Sequence, residues 1–379
     1  MMSQRSKKEL LETIRPRYRK AKKTEKGKIL DEFVAITGYH RKYAIRVLNA
    51  VGSKKHRKKP GPRRKYKGEV VTALEYIWEI CGQICSRRLH PYLPEIVKVL
   101  ERNDEIHLAP ETKKLLLQMS RSSIDRCLST TYQAHPHGLS TTKPGTLLKK
   151  SIPVRIYTPW DEEKPGFMEI DLVAHCGDTA EGQFVNTLTS VDISTGWTEC
   201  QAVFPRNRHT VLEAIQAMRA HLPFDLLGLD SDNGSEFINE MLFQYCQYQK
   251  ITFTRSRPYH KNDQAHVEQK NWSVVRHLVG YGRFETPTEY NLLQTIYTDL
   301  SLYFNYFQPV LKLTSKEFVE GRTIKHYDTA ATPYQRVQAS AQIPFEVKAR
   351  LANLYVRLNP VALRKAIDQK VHQLCSYSR

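Results

Sequence analysis

From residue 166 onward the chain changes its hydrophobic period, and that change limits the folds open to it. The stretch "GFMEIDLVAHC" (166–176) alternates, with Met168, Ile170, Leu172 and Ala174 on one face and Glu169, Asp171 and Val173 on the other. "FVNTLTSVDIS" (184–194) and "GWTECQAVF" (196–204) follow as strands, joined at Thr195–Gly196. Such short connections predict an antiparallel meander. The period then turns helical in "HTVLEAIQAMRAHL" (209–222) and drops to a short buried strand in "DLLGLDSD" (225–232). Helix "SEFINEMLFQYCQYQ" (235–249) and strand "ITFTRS" (251–256) repeat the unit, and another helix begins near Gln264. The order β-β-β-α-β-α-β-α predicts a mixed five-stranded sheet flanked by helices.

That last helix carries an anomaly. Set at 100° steps from Gln264, residues Val267, Trp272, Val274, Val275, Leu278 and Val279 fill one arc. His266, Gln269, Lys270, Ser273, Arg276 and His277 fill the opposite arc, and Glu268 falls inside the apolar one. Glu268 is therefore expected to face the sheet, where Asp171 lies mid-strand and Asp232 closes the fourth strand. A buried carboxylate without compensation costs several kcal/mol or takes up a proton. Two of them 4 Å apart repel by about 4 kcal/mol at an effective dielectric of 20. Hard divalent cations with oxygen ligands relieve both penalties. A pair of such ions about 4 Å apart promotes in-line displacement at phosphorus. Taken singly, each acid has a plainer reading: a solvent-facing strand residue, an Asp-Asn-Gly turn, a snorkelling Glu.

Charge is distributed unevenly. Of the net +19, residues 1–70 contribute +17, from 23 Lys/Arg against 6 Asp/Glu. Such a surface attracts polyanions and weakens with salt, so this end reads as a nucleic-acid arm, with a solubilising tail as the bland alternative. Two helical stripes in 25–51 flank Thr37–Gly38, the pattern of a helix-turn-helix, although a plain helical hairpin shares it. The second helix then offers Tyr39, His40, Arg41, Lys42 and Arg46 to a DNA groove. "SKKHRKKPGPRRKYKG" (53–68) has nine Lys/Arg and no acid, and its Pro and Gly oppose a helix. Lys54, Lys55, Arg57, Lys58, Lys59, Arg63, Arg64 and Lys65 form a basic strap suited to phosphates. "MSRSSIDRCLST" (119–130) resembles a second turn and helix, exposing Arg121 and Arg126.

Other classes are disfavoured. No run of 18 apolar residues spans a membrane, and "MMSQRSKKELLETIRPRYRKAKK" lacks an apolar signal core. Seven cysteines without a C-x-x-C pair fit reduced thiols rather than a disulfide framework or zinc site. The expected location is the cytoplasm, in association with the nucleoid.

The core segments resemble a known family. "MEIDLVAH", "DSDNGSEF" and "SRPYHKNDQAHVEQKNW", with 35 residues between Asp232 and Glu268, are similar to the integrase core of transposases and retroviral-type integrases. "YFNYFQP" (303–309) resembles the helix end after the core in bacterial members. The likeness covers roughly 150–320, and residues 1–130 more loosely resemble the helix-turn-helix domains of insertion-sequence transposases. It implies a ribonuclease H-like fold and an Asp-Asp-Glu triad of Asp171, Asp232 and Glu268. These would be both catalytic residues and ligands of two Mg²⁺, with Mn²⁺ able to substitute. The family pattern places the second ligand before Asn-Gly, at Asp232 rather than Asp230. Gln264, Lys270 and Asn271 would touch DNA near the site, and Arg255, Arg257 and Lys261 would hold phosphates. The retroviral zinc module is missing, and Trp272 stands where a basic residue often occurs.

The expected organisation is multidomain α+β. A helix-turn-helix domain (1–52), basic linker (53–68), second helical domain (69–132) and linker (133–160) precede a catalytic core (161–320) and a helical C-terminal region (321–379). The resemblance implies a DNA transposase acting on double-stranded element ends and target DNA, as a homodimer or higher synaptic oligomer. A transposase-derived regulator with a silent core, or a ribonuclease H-like nuclease that cuts without joining, remain as alternatives.

Overall fold

The computed structural model describes residues 2–50, 65–129, 163–257, 264–319 and 322–377. Lys54, Lys55, Arg57, Lys58, Lys59, Arg63, Arg64 and Lys261 of the expected DNA contacts lie outside the described residues, as does the 133–160 linker. The chain forms two compact units, Met1–Lys65 and Tyr66–Arg379.

The first unit contains α1 (Gln4–Lys20), α2 (Lys23–Thr37) and α3 (Arg41–Asn49). Tyr18, Ile29, Leu30, Phe33, Ala44 and Leu48 form its core. Helix α2 stops because Gly38 takes φ +67°, a left-handed cap, and its N–H donates to the Val34 carbonyl. Thr37 stitches the turn: its hydroxyl donates to the Phe33 carbonyl at 2.6 Å and accepts the Tyr39 N–H.

The second unit is built on a sheet of order β3-β2-β1-β4-β5. Strands β1 (Phe167–Ala174), β2 (Asn186–Asp192) and β3 (Thr198–Val203) are antiparallel. Strands β4 (Gly228–Ser231) and β5 (Thr252–Arg255) run parallel to β1. Helices α8 (Arg208–His221) and α9 (Glu240–Tyr248) supply the crossovers that parallel pairing requires. The β2–β3 turn is held by Asp192, whose carboxylate accepts the Thr195 N–H and hydroxyl and the Gly166 N–H. The alternation read in β1 divides the sheet. Met168 and Ile170 pack under α8 and α9 with Ile215, Met218 and Phe237, while Val173 packs on the opposite side with Val274, Val275 and Leu293.

Helix α12 (Pro287–Phe307) begins at a capping box between Thr286 and Glu289 and lies along edge strand β3. Its Asn305 side chain accepts the Thr198 N–H at 2.8 Å and donates to the Thr198 carbonyl at 2.9 Å. Gln294 accepts the Ala202 N–H. Amide side chains thus occupy backbone positions that a further strand would need.

Beside them Glu199, buried on β3, accepts hydrogen bonds from Trp197 Nε1 and Ser301 Oγ, both at 2.8 Å. Burial pushes its carboxyl up to about 7 against these bonds. The native state therefore holds this proton more tightly than the unfolded chain does. The stability it brings is complete below about pH 4.5 and is lost as pH rises through about 7. Glu199→Gln should flatten that dependence, gaining up to about 3 kcal/mol over the parent at pH 8 and little at pH 4. Urea unfolding at a series of pH values measures it.

Helices α4 (Glu69–Ile80), α5 (Ser86–Arg102), α6 (Pro110–Leu117) and α7 (Arg121–Leu128) form the block read as a second domain. Their core is continuous with α13 (Pro333–Ala339), α14 (Phe345–Arg357) and the start of α15 (Pro360–Tyr377): Trp78, Leu89, Tyr92 and Ile96 share it with Tyr334, Val337, Leu351 and Val361. Tyr334 stacks on Tyr355 at 4.6 Å and on Tyr306 of α12 at 5.1 Å. Apolar stripes more than 200 residues apart in sequence thus complete one another. A two-stranded ribbon, β6 (Leu313–Val319) with β7 (Arg322–Tyr327), was not anticipated and is largely solvent-exposed. Among the described residues, no helix is long and apolar enough to cross a membrane.

Candidate active site

Asp171, half-buried on β1, accepts the Leu172 N–H at 2.8 Å and the Asn271 side-chain amide at 2.7 Å. Burial pushes its carboxyl up to about 7; nearby Asp232, Glu268 and Glu236 push the same way, and the Leu172 bond opposes them. The parallel pairing of β1 with β4 places Asp232, just past the end of β4, beside it. Burial also raises Asp232, and Glu236 adds to that, while the Gly234 N–H bond and Arg206 oppose it. Asp232 Oδ1 accepts the Gly234 N–H at 2.8 Å. A Cβ on Gly234 would stand 2.9 Å from that oxygen and 2.7 Å from Glu236 Oε1, so a side chain here would push both carboxylates from their places. Asn233 fastens the loop, donating to the Ser256 carbonyl and accepting from Arg255 Nη1.

Glu268 differs from expectation. It lies on α10 (Ala265–Lys270), close enough to Asp171 to raise its carboxyl, but its side chain is exposed rather than turned into the core. The reason is the helical period. Residues Asn271–Arg276 form a π-helical turn before α11 (His277–Val279), so 100° steps lose register after Lys270. The buried positions are Val267, Lys270, Val274, Val275 and Val279. Lys270, expected at the DNA, is the inward residue instead: its ammonium sits 3.9 Å from the Phe304 ring centroid, and burial lowers its pKa well below the ordinary value. Trp272, expected in the apolar arc, is 52% exposed and meets His277 edge-on. Gln264 is buried and hydrogen-bonds to Asp230. Asn271 turns to Asp171 rather than outward.

In the first unit, His40, Arg41, Lys42 and Arg46 are exposed at the start of α3 and along it. Arg41 pairs with Asp31, and the Arg46 guanidinium lies over the Tyr43 ring. Tyr39 is half-buried, packing edge-on against Phe33 and Tyr43. Lys65, Arg121 and Arg126 are exposed, Arg255 and Arg257 partly so. The sequence did not point to Glu236 and Arg206, an ion pair beside Asp232 in which the carboxylate is buried and the guanidinium partly exposed. What signal it offered was the acid two residues past Gly234.

The site suits a divalent cation in charge and donor type. Burial and mutual repulsion leave the carboxyls short of positive charge, and Asn271 Oδ1, on the amide that donates to Asp171, is buried without a partner among the described residues. The side chains are not gathered, however. Among the described residues, no three Asp, Glu, His or Cys groups stand close enough to hold one ion. Repulsion among the carboxylates, the Asn271 bond and the outward Glu268 all act in that direction.

No family model matches the chain. It is 41% identical over 333 residues to the "Uncharacterized protein y4rM" of Sinorhizobium fredii (strain NBRC 101917 / NGR234), covering 86% of this chain and 94% of that one. The chain belongs to the y4rM family. Solved structures similar to this y4rM-family chain include the catalytic core domain of BIV integrase, at 20% identity and a TM-score of 0.30. That match covers 45% of this chain and 91% of the other. Another is the simian T-cell lymphotropic virus intasome in complex with the PP2A regulatory subunit B56 gamma, at 14% identity and a TM-score of 0.27, covering 48% and 59%.

Proposed function

We propose that the chain is a DNA transposase of the Asp-Asp-Glu kind. The observation that carries the reading is that three separate elements bring carboxylates within electrostatic reach of one another, although no three of them stand close enough to hold one ion among the described residues. β1 brings Asp171, the end of β4 brings Asp232, α10 brings Glu268, and each of the latter two raises the Asp171 carboxyl. Asp171, Asp232 and Glu268 would hold two Mg²⁺, with Mn²⁺ able to substitute. Bound there, divalent ions lower the pKa of the attacking hydroxyl and stabilise the leaving 3′ oxygen. The chain's own residues set the frame. Asn271 orients Asp171, the Gly234 N–H orients Asp232, and Glu268 stands exposed on the side from which the phosphate would come. Hydrolysis at each element end frees a 3′-OH, which attacks target DNA without a covalent enzyme intermediate. Pairing two ends calls for a homodimer or higher assembly, at work on the nucleoid.

The first unit would find the ends. Lys42→Ala and Arg46→Ala should each lower the slope of log affinity against log salt by about 0.9 if each neutralises one phosphate. Fluorescence anisotropy on duplex ends between 50 and 200 mM salt reads it.

A second reading, a DNA-binding regulator with a silent core, draws on the ungathered carboxylates. It predicts end binding without nicking, and a plain nuclease would cut without joining. A strand-transfer assay on end-bearing DNA in Mg²⁺ or Mn²⁺ separates the three.

A further inference from the structure

Two more acids lie beneath the site. Glu169 is two residues before Asp171 on β1, and Asp230 two before Asp232 on β4. The parallel register pairs them directly, and both are fully buried. Burying a carboxylate is costly unless hydrogen bonds meet it, and the bonds of both converge on one segment. Glu169 Oε2 accepts the N–H groups of His266 at 3.0 Å and Val267 at 3.1 Å. These are orphan donors of the first turn of α10, whose N-cap residue, Gln264, makes no cap bond of its own. The Gln264 amide instead donates to the Asp230 carbonyl at 3.2 Å and carboxylate at 3.4 Å, and Thr254 Oγ1 donates to Asp230 Oδ1 at 2.6 Å. Residue 268 follows immediately.

We infer that Glu169 and Asp230 are positioning residues that pin the start of α10 to the strands bearing Asp171 and Asp232, and so set where Glu268 stands. They grip residues 264–267 through four bonds, two from main-chain N–H groups and two from the Gln264 amide, and none of the four runs to the Glu268 side chain. A negative group at a helix start is also favoured by the helix dipole. The inference rests on the proposed catalytic reading, and its test separates the two.

Hydrogen exchange by mass spectrometry across 264–270, with single-turnover cleavage of end DNA, tests it on the full chain. Glu169→Ala should speed exchange at His266 and Val267 and lower kcat by about 10–100-fold with end-DNA affinity unchanged. Glu169→Gln, whose amide oxygen accepts both N–H groups, should restore protection and most of the rate. Should Glu169→Ala not fold, Gln264→Ala cuts the Asp230 link, with the same loss of protection and rate expected. Wild-type exchange at 264–267, or wild-type kcat, in the variant that folds would overturn the inference. If the parent chain cuts no DNA, the catalytic reading falls, and the exchange data alone decide the anchoring.

Discussion

Asp232→Asn should remove metal-dependent cleavage and strand transfer by at least about 10³-fold, some 4 kcal/mol of transition-state stabilisation, while end binding is unchanged. The substitution is conservative in every respect except charge. An asparagine Oδ1 can still accept the Gly234 N–H, so the loop keeps its shape. What disappears is one carboxylate from a crowded group. Asp171, raised by burial and then by Asp232, should ionise more readily in the variant, and the melting temperature should hold or rise. Cleavage of end-bearing plasmid in Mg²⁺ and anisotropy on the same ends give the two readouts. A variant that still cuts removes Asp232 from the chemistry.

Asn305→Leu should have the largest effect on folding. The Asn305 amide is fully buried and satisfies both backbone groups of Thr198. Leucine keeps the volume but leaves a buried N–H and carbonyl unpaired, at about 1–3 kcal/mol each. The expected loss is about 3 kcal/mol, read from the urea midpoint, with aggregation as β3 becomes an open edge. An unchanged midpoint would show that water or a neighbour replaces the amide.

The five-stranded order was legible because period-2 and period-3.6 stretches do not imitate one another over eight or more residues. Met168, Ile170 and Val173 fell on the faces that alternation assigned them. The places of Asp171 within the first strand and of Asp232 at the end of the fourth were legible for the same reason, since the period fixes where the strands run. Glu268 was not, because its orientation depends on helix geometry further along, where no residue between 271 and 276 advertises a π turn. Fixed 100° steps therefore exchanged the roles of Glu268 and Lys270. The shared core of α4–α7 with α13–α15 was hidden too, since apolar stripes reveal that a face is buried but not against what. The β6–β7 ribbon buries almost nothing, so the hydrophobic pattern gave it no signature.

The widened turn at 271–276 has a consequence for how this helix tolerates change. Its upper part is keyed to the strands at 264–267, and its lower part is keyed to the apolar layer at Val274, Val275 and Val279. Between them the chain shifts phase, as a splice joins two shafts cut at different angles. How well these two anchored ends fit together is therefore governed by how many residues the splice contains, more than by which ones they are. An exposed side chain there, such as Trp272, can change at little cost, whereas losing or gaining one residue would put the 264–267 anchor and the apolar layer out of phase, so that one of the two contacts would have to give.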